Sequence, residues 1–80
     1  MRYADSRCVY TEQYEPTHTY TFTGPCVITK KPYSVTVKGE ELFAYRRGAL
    51  MQVAFPTLTA DDREFLMSGH SPEGWEQVFG

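Results

Sequence analysis

Four residues of this chain are suited to soft-metal or nucleophilic chemistry: Cys8, His18, Cys26 and His70. Three more, Asp61, Asp62 and Glu64 of "ADDRE", are suited to a hard cation. Spacing speaks against both readings. Zinc ligands usually come in pairs about two to five residues apart, whereas His18 follows Cys8 by ten positions and Cys26 follows His18 by eight. Consecutive helical residues point away from one another, so Asp61 and Asp62 diverge and read better as a solvated, dipole-complementing first turn. A Cys8 or Cys26 nucleophile beside His18 or His70 has no third group in sequence to orient the base. The chain has no Gly-rich phosphate loop, Gly-x-Ser-x-Gly elbow, paired helical histidines or Asp-rich calcium loop. The expectation is a protein that is not an enzyme, with no catalytic, metal or cofactor residues and with both cysteines as free thiols.

Binding chemistry has more material. Charge is segregated: residues 1–29 balance to minus one, residues 30–47 to plus three and residues 48–80 to minus four, within a net charge of −2. Aromatic residues make up 15% of the chain, including six Tyr, and tyrosine offers interface area at low entropic cost. Two binding classes follow. The first is a protein-binding module using the acidic helical end or the Tyr-rich N-terminus, with Tyr10, Tyr14, Asp61, Asp62 and Glu73 as partner-binding candidates. The second is a small single-stranded nucleic-acid binder using the basic segment 30–47, with Lys30, Lys31, Lys38, Arg46 and Arg47 on phosphates and Tyr33 as a stacking surface.

The elements that would position these residues belong to one small domain of 80 residues, near the size at which a single core supplies a thin margin of stability. "THTYTFT" (17–23) alternates with the period of a half-buried strand, closed by Gly24 and Pro25. "CVIT" (26–29) and "YSVTV" (33–37) read as two further strands, which makes a three-stranded antiparallel meander. "RCVYTEQY" is open between an additional edge strand and an ordered arm, so residues 1–16 stand apart from an α+β domain over 17–80.

Beyond Val37 the pattern turns helical. "GEELFAYRRG" has Glu40 and Glu41 in its first turn, Arg46 and Arg47 in its last and Gly48 placed as a left-handed cap. "ALMQVAF" is expected to be a short helix closed by Pro56. Thr59 and Ser71 are N-caps for two terminal helices, with Gly69 as a stop and Pro72 at a first helical position. Gly74, inside the last helix, signals either a close backbone contact or tolerance near a fraying end. Helices this short do not hold alone in water. The expected fold is therefore a three-stranded, or four-stranded, antiparallel sheet followed by three or four short helices packed on one face. Phe65, Leu66, Trp75, Val78 and Phe79 are expected in its core, an exposed partner-binding face being the alternative.

"KPYSV" and the run "GALMQVAFPTLTADDREFLMSGHSPEGWEQVF", with its order Ala-Phe-Pro, Leu-Thr-Ala-Asp-Asp-Arg-Glu-Phe-Leu, Ser-Gly, Ser-Pro, Trp, Phe, resemble a group of short, uncharacterised proteins encoded by bacteriophages and prophages. The resemblance spans residues 26–79 and rests on caps and core positions, without catalytic content. It implies an accessory protein acting by binding a bacterial host protein, in the cytoplasm of an infected or prophage-carrying cell, and supplies no site residues. No stretch approaches the ~20 apolar residues that cross a bilayer, and no signal-peptide core is present, so no membrane partner is expected. A homodimer is expected from the small core and the unplaced Tyr-rich segment.

Overall fold

The computed structural model describes all 80 residues. In chain order the elements are α1 (Arg2–Arg7), β1 (Val9–Gln13), β2 (Thr19–Pro25), β3 (Pro32–Lys38), α2 (Gly39–Arg46), α3 (Met51–Ala54), α4 (Ala60–Ser68) and α5 (Pro72–Phe79). The strands form one antiparallel sheet in the order β1-β2-β3. The fold class is the expected α+β.

Alternation along β2 decides the two faces of the sheet. Phe22 is buried and stands opposite Tyr10 on β1 and Val35 on β3. With Val35 and Val37 it forms the sheet side of the core. The intervening residues face away from the helices, where Thr21 and Thr36 hydroxyls lie 2.8 Å apart and Thr23 and Ser34 hydroxyls 2.7 Å apart. On the inner face the sheet meets Met1, Tyr3, Ala4, Leu42, Ala54, Phe55, Phe65 and Leu66 in one cluster. Apolar residues on one face and hydroxyls on the other explain why the helices gather on one side only.

The identity of the third strand differs from expectation. "CVIT" is not a strand. Residues 26–31 form the β2–β3 connection, in which Lys30 N–H donates to Cys26 C=O (2.9 Å), Cys26 N–H donates to Lys31 C=O (2.9 Å) and Lys30 takes φ +66°. β2 instead runs on through Gly24 to Pro25, which pairs with Pro32. Pro25 lies past the last residue paired with β1, so its missing N–H leaves no gap in the ladder. The sheet is completed by β1, so that of the two readings of the N-terminal segment the edge strand holds rather than the ordered arm. It is preceded by α1, a helix without a sequence signal, which tertiary contacts hold. The Met1 amine donates to Asp5 (3.1 Å) and to the Tyr45 hydroxyl (3.1 Å), and the Tyr3 ring meets Phe65 edge-on with centroids 5.5 Å apart.

The helical caps match expectation. At the end of α2, Gly48 takes φ +109°, its N–H donates to Tyr45 C=O (3.0 Å), and Ala49 N–H donates to Ala44 C=O (3.2 Å), the two bonds of a Schellman closure. Thr59 Oγ1 accepts from Asp62 N–H (3.1 Å), and Ser71 Oγ accepts from Gly74 N–H (3.1 Å). α3 is a single turn whose Leu50 and Val53 flank solvent while Ala54 and Phe55 are buried.

Gly48 and Gly69 both end helices with positive φ, yet their surroundings differ. A Cβ on Gly48 would meet nothing, whereas one on Gly69 (φ +85°) would lie 2.7 Å from the Tyr3 ring and 2.8 Å from Val27. Gly48→Ala is expected to cost about 1 kcal/mol from the backbone alone. Gly69→Ala adds an overpacking cost of roughly 1–3 kcal/mol. Urea midpoints of the two variants check this, and equal midpoints would refute the packing at Gly69.

One further correction bears on function. Phe65 and Leu66 are fully buried as expected, but Trp75 is 42%, Val78 49% and Phe79 61% exposed. Their stripe does not lie on the sheet. Gly74 is the residue of α5 that meets the core: a Cβ there would be 2.5 Å from Cys26 Sγ and 3.2 Å from Ile28. Of the two readings of Gly74, the close backbone contact holds. Trp75 follows one position later, about 100° around the helix, and so turns away. No helix is long and apolar enough to cross a membrane.

Candidate protein-binding surface

The surface is built on α4, α5 and the Gly69–Ser71 link between them. Its anchor is Cys26. The buried Sγ accepts from Ser71 N–H (3.4 Å), Ile28 N–H (3.4 Å) and Thr29 N–H (3.5 Å), which ties the start of α5 to the β2–β3 connection. Burial alone would push this thiol up, but the donors from Ser71 and Thr29 outweigh it and bring Cys26 down to about 6. Both cysteines are free. Cys26 is closed to solvent, and burial also holds the Cys8 thiol above its ordinary value.

With its first turn pinned, α5 presents an aromatic face. The Trp75 and Phe79 rings are 4.3 Å apart by centroid, and His70 meets Trp75 edge-on at 5.9 Å and Phe79 at 6.1 Å. Beside Trp75 a groove of about 260 Å³ runs between the two helices, with Asp61, Glu64 and His70 among its walls. The cation nearest in sequence, Arg63, is turned inward and donates to Leu58 C=O (2.8 Å) and Phe55 C=O (3.5 Å). The apolar stripe is thus flanked by carboxylates without a competing guanidinium.

The chain matches no protein-family pattern, no curated protein and no solved structure.

Ser68 sits at the edge of this surface, 2.9 Å from His70 Nδ1 and in contact with the Glu64 carboxylate. A nucleophilic triad places the histidine between serine and carboxylate, so that the imidazole takes the hydroxyl proton and is steadied as a cation. Here the serine is in the middle, between Glu64 and His70, an order that does not set the histidine between hydroxyl and carboxylate. No group of three or more His, Cys, Asp or Glu residues is placed to hold a metal ion.

The five partner-binding candidates are dispersed. Asp61 lines the groove beside Trp75. Asp62 instead accepts from the Tyr33 hydroxyl (2.6 Å), and Glu73 accepts from Lys31 Nζ (3.0 Å). Tyr10 and Tyr14 lie at the β1 edge. There the Tyr14 ring stacks on His18 at 5.0 Å, and the Glu12 carboxylate meets His18 Nε2 at 2.6 Å and accepts from the Tyr20 hydroxyl at 2.9 Å. The His18 hydrogen bond, with that of Tyr20, holds Glu12 below the usual carboxylate range.

The nucleic-acid candidates are not gathered into one patch. Lys31 is paired with Glu73, and Arg46 grips Asp5 through two bonds of 2.9 and 2.7 Å, which hold the Asp5 carboxyl low. Lys30 and Lys31 precede β3 while Lys38 ends it, about 20 Å apart at strand rise. Arg47 caps α2 in solvent. The Tyr33 ring packs edge-on against Phe65 at 5.0 Å and its hydroxyl is held by Asp62, so Tyr33 is tied to α4. Sequence reasoning placed Trp75, Val78 and Phe79 in the core, with an exposed partner-binding face as its alternative, and their exposure favours the alternative. Its one available signal was Gly74, whose missing side chain marks the side of α5 that meets the core.

Tyr33 supplies a pH test of the α4–sheet contact. Burial, then the Asp62 carboxylate, pushes its hydroxyl up to about 12 from an ordinary 10.0. A group raised in the folded state stabilises fully below its unfolded value and loses that contribution as pH climbs to the folded one. Stability is expected to fall between pH 10 and about 12, and Tyr33→Phe should flatten that decline. Urea midpoints measured across the window decide it; an unchanged slope in the variant would exclude Tyr33 as its source.

Proposed function

We propose that this protein is a non-catalytic protein-binding module whose docking surface is the exposed α5 stripe and the acidic groove beside it. The observation that carries the reading is that Trp75, Val78 and Phe79 face solvent on a helix held to the core through Gly74. A small domain gains nothing in stability from an aromatic cluster left in water, and contiguous exposed apolar surface is characteristic of interaction sites. Asp61 and Glu64 beside Trp75 favour a partner segment that places a lysine or arginine over the indole and against the carboxylates, next to its own apolar residues. The resemblance to short phage and prophage proteins supports a setting: an accessory protein that inhibits or adapts a bacterial host protein.

The experiment is capture from bacterial lysate on the immobilised 80-residue chain, with and without nuclease, over a salt series. A contact anchored by aromatic residues weakens modestly with salt, whereas a phosphate-led one falls steeply. A protein retained after nuclease treatment at raised salt, and lost with Phe79→Ser, is the expected result. Capture that disappears with nuclease would overturn the reading in favour of a nucleic-acid ligand.

A further inference from the structure

β1 is an edge whose one charged residue is Glu12. All five of its residues are exposed, and Val9, Tyr10 and the neighbouring Tyr14 are among the most exposed large apolar residues of the chain, at 72%, 61% and 68%. It carries no proline, lysine or bulge, and its pairing with β2 is continuous from Val9 to Gln13. The opposite edge, β3, opens with Pro32 and closes with Lys38, the devices that ordinarily discourage strand addition. The core residues of the sheet all belong to β2 and β3, which leaves β1 uncovered on the helical side as well.

The register decides which groups this edge offers. In an antiparallel ladder, alternate residues turn their N–H and C=O groups to opposite sides. Gly39 N–H donates to His18 C=O (2.8 Å) and Cys26 N–H to Lys31 C=O (2.9 Å), so the even positions of β2 address β3. The odd positions, Thr19, Thr21 and Thr23, therefore address their β1 partners Gln13, Thr11 and Val9. Tyr10 and Glu12 are left with backbone donors and acceptors pointing outward.

We propose that β1 pairs with β1 of a second copy of this chain, antiparallel, about a two-fold axis at Thr11. That axis lies at the middle of Val9–Gln13, so the whole strand is paired. It sets each Tyr10 against Glu12 of the second copy, with both outward-facing residues exchanging backbone hydrogen bonds, and it sets Val9 against Gln13. No like charges meet. Moving the axis to Glu12 would oppose two carboxylates, which is unfavourable on a sheet, and moving it to Tyr10 would run the pairing into α1. The result is one six-stranded sheet, in which Val9 lies beside Gln13, and Tyr10 beside Glu12, of the second copy.

The register makes the test specific. Opposed Thr11 residues form a non-hydrogen-bonded pair with Cα atoms about 4.5 Å apart, within disulfide reach. Opposed copies of Val9 lie roughly 13 Å apart, beyond it. Under a mild chemical oxidant, Thr11→Cys is expected to give a covalent dimer, while Val9→Cys and the parent chain are not. The parent should sediment at twice its 9.2 kDa mass. Tyr10→Glu, which sets carboxylates opposite each other twice, should raise the dimer dissociation constant roughly tenfold or more, and Tyr10→Arg should preserve the dimer. Circular dichroism confirms that each variant is folded. A parent that stays at 9.2 kDa at every concentration overturns the proposal. So does a Val9→Cys chain that cross-links as readily as Thr11→Cys, or a dimer indifferent to Tyr10→Glu but lost with Trp75→Ala.

Discussion

Phe65→Ala is expected to remove most of the stability of the fold at room temperature. Phe65 is wholly buried, and its ring is gripped edge-on by Tyr3 of α1 and Tyr33 of β3, at 5.5 and 5.0 Å. Truncating such a residue removes its transfer free energy and opens a cavity that three different elements would have to close, a cost of about 3–5 kcal/mol. Domains as a class have only about 5–15 kcal/mol to lose, and small ones sit low in that range. Urea unfolding followed by circular dichroism measures the loss. A variant within about 1 kcal/mol of the parent would mean that the core is not centred on Phe65.

Trp75→Ala is expected to do the reverse, sparing the fold and removing the partner. Trp75 is half-exposed, and its ring packs on exposed Phe79 and meets half-buried His70 edge-on. Its truncation should cost about 1 kcal/mol of stability or less. As a central aromatic anchor it should carry roughly 2–4 kcal/mol of binding, a loss of about thirtyfold to a thousandfold in affinity. The readouts are a thermal midpoint and retention of the captured protein, taken on the same preparation. A midpoint that collapses would return Trp75 to the core and remove the docking surface with it. A folded variant that still retains the partner at full strength would show that binding lies elsewhere, with the β1 edge the next surface to map.

The sequence by itself determined what is decided within a few residues. Thr59 and Ser71 cap α4 and α5 because a side-chain oxygen needs only the N–H groups two or three positions ahead. Gly48 and Gly69 end α2 and α4 because only glycine enters the left-handed region without strain. The Thr-x-Thr alternation of residues 17–23 showed one buried and one hydroxyl face of a strand, and this made the α+β class legible. Tertiary structure decided which segments meet. Local pattern could not tell that "CVIT" turns while "VYTEQ" pairs, since both are short β-prone runs and the choice depends on what lies beside β2. α1, six residues long, forms only because Tyr3, the Met1 amine and Asp5 find Phe65, Tyr45 and Arg46 from distant parts of the chain. The basic and acidic segments, separate in sequence, are joined by Lys31 to Glu73. The direction of the α5 stripe was undetermined for the same reason. Period gives a helix an apolar side, but that side is buried only if the rest of the fold leaves a place for it, and here Cys26 and Ile28 meet α5 at Gly74, so that Trp75 and Phe79 turn away and Val78, one turn beyond the glycine, also stays in solvent.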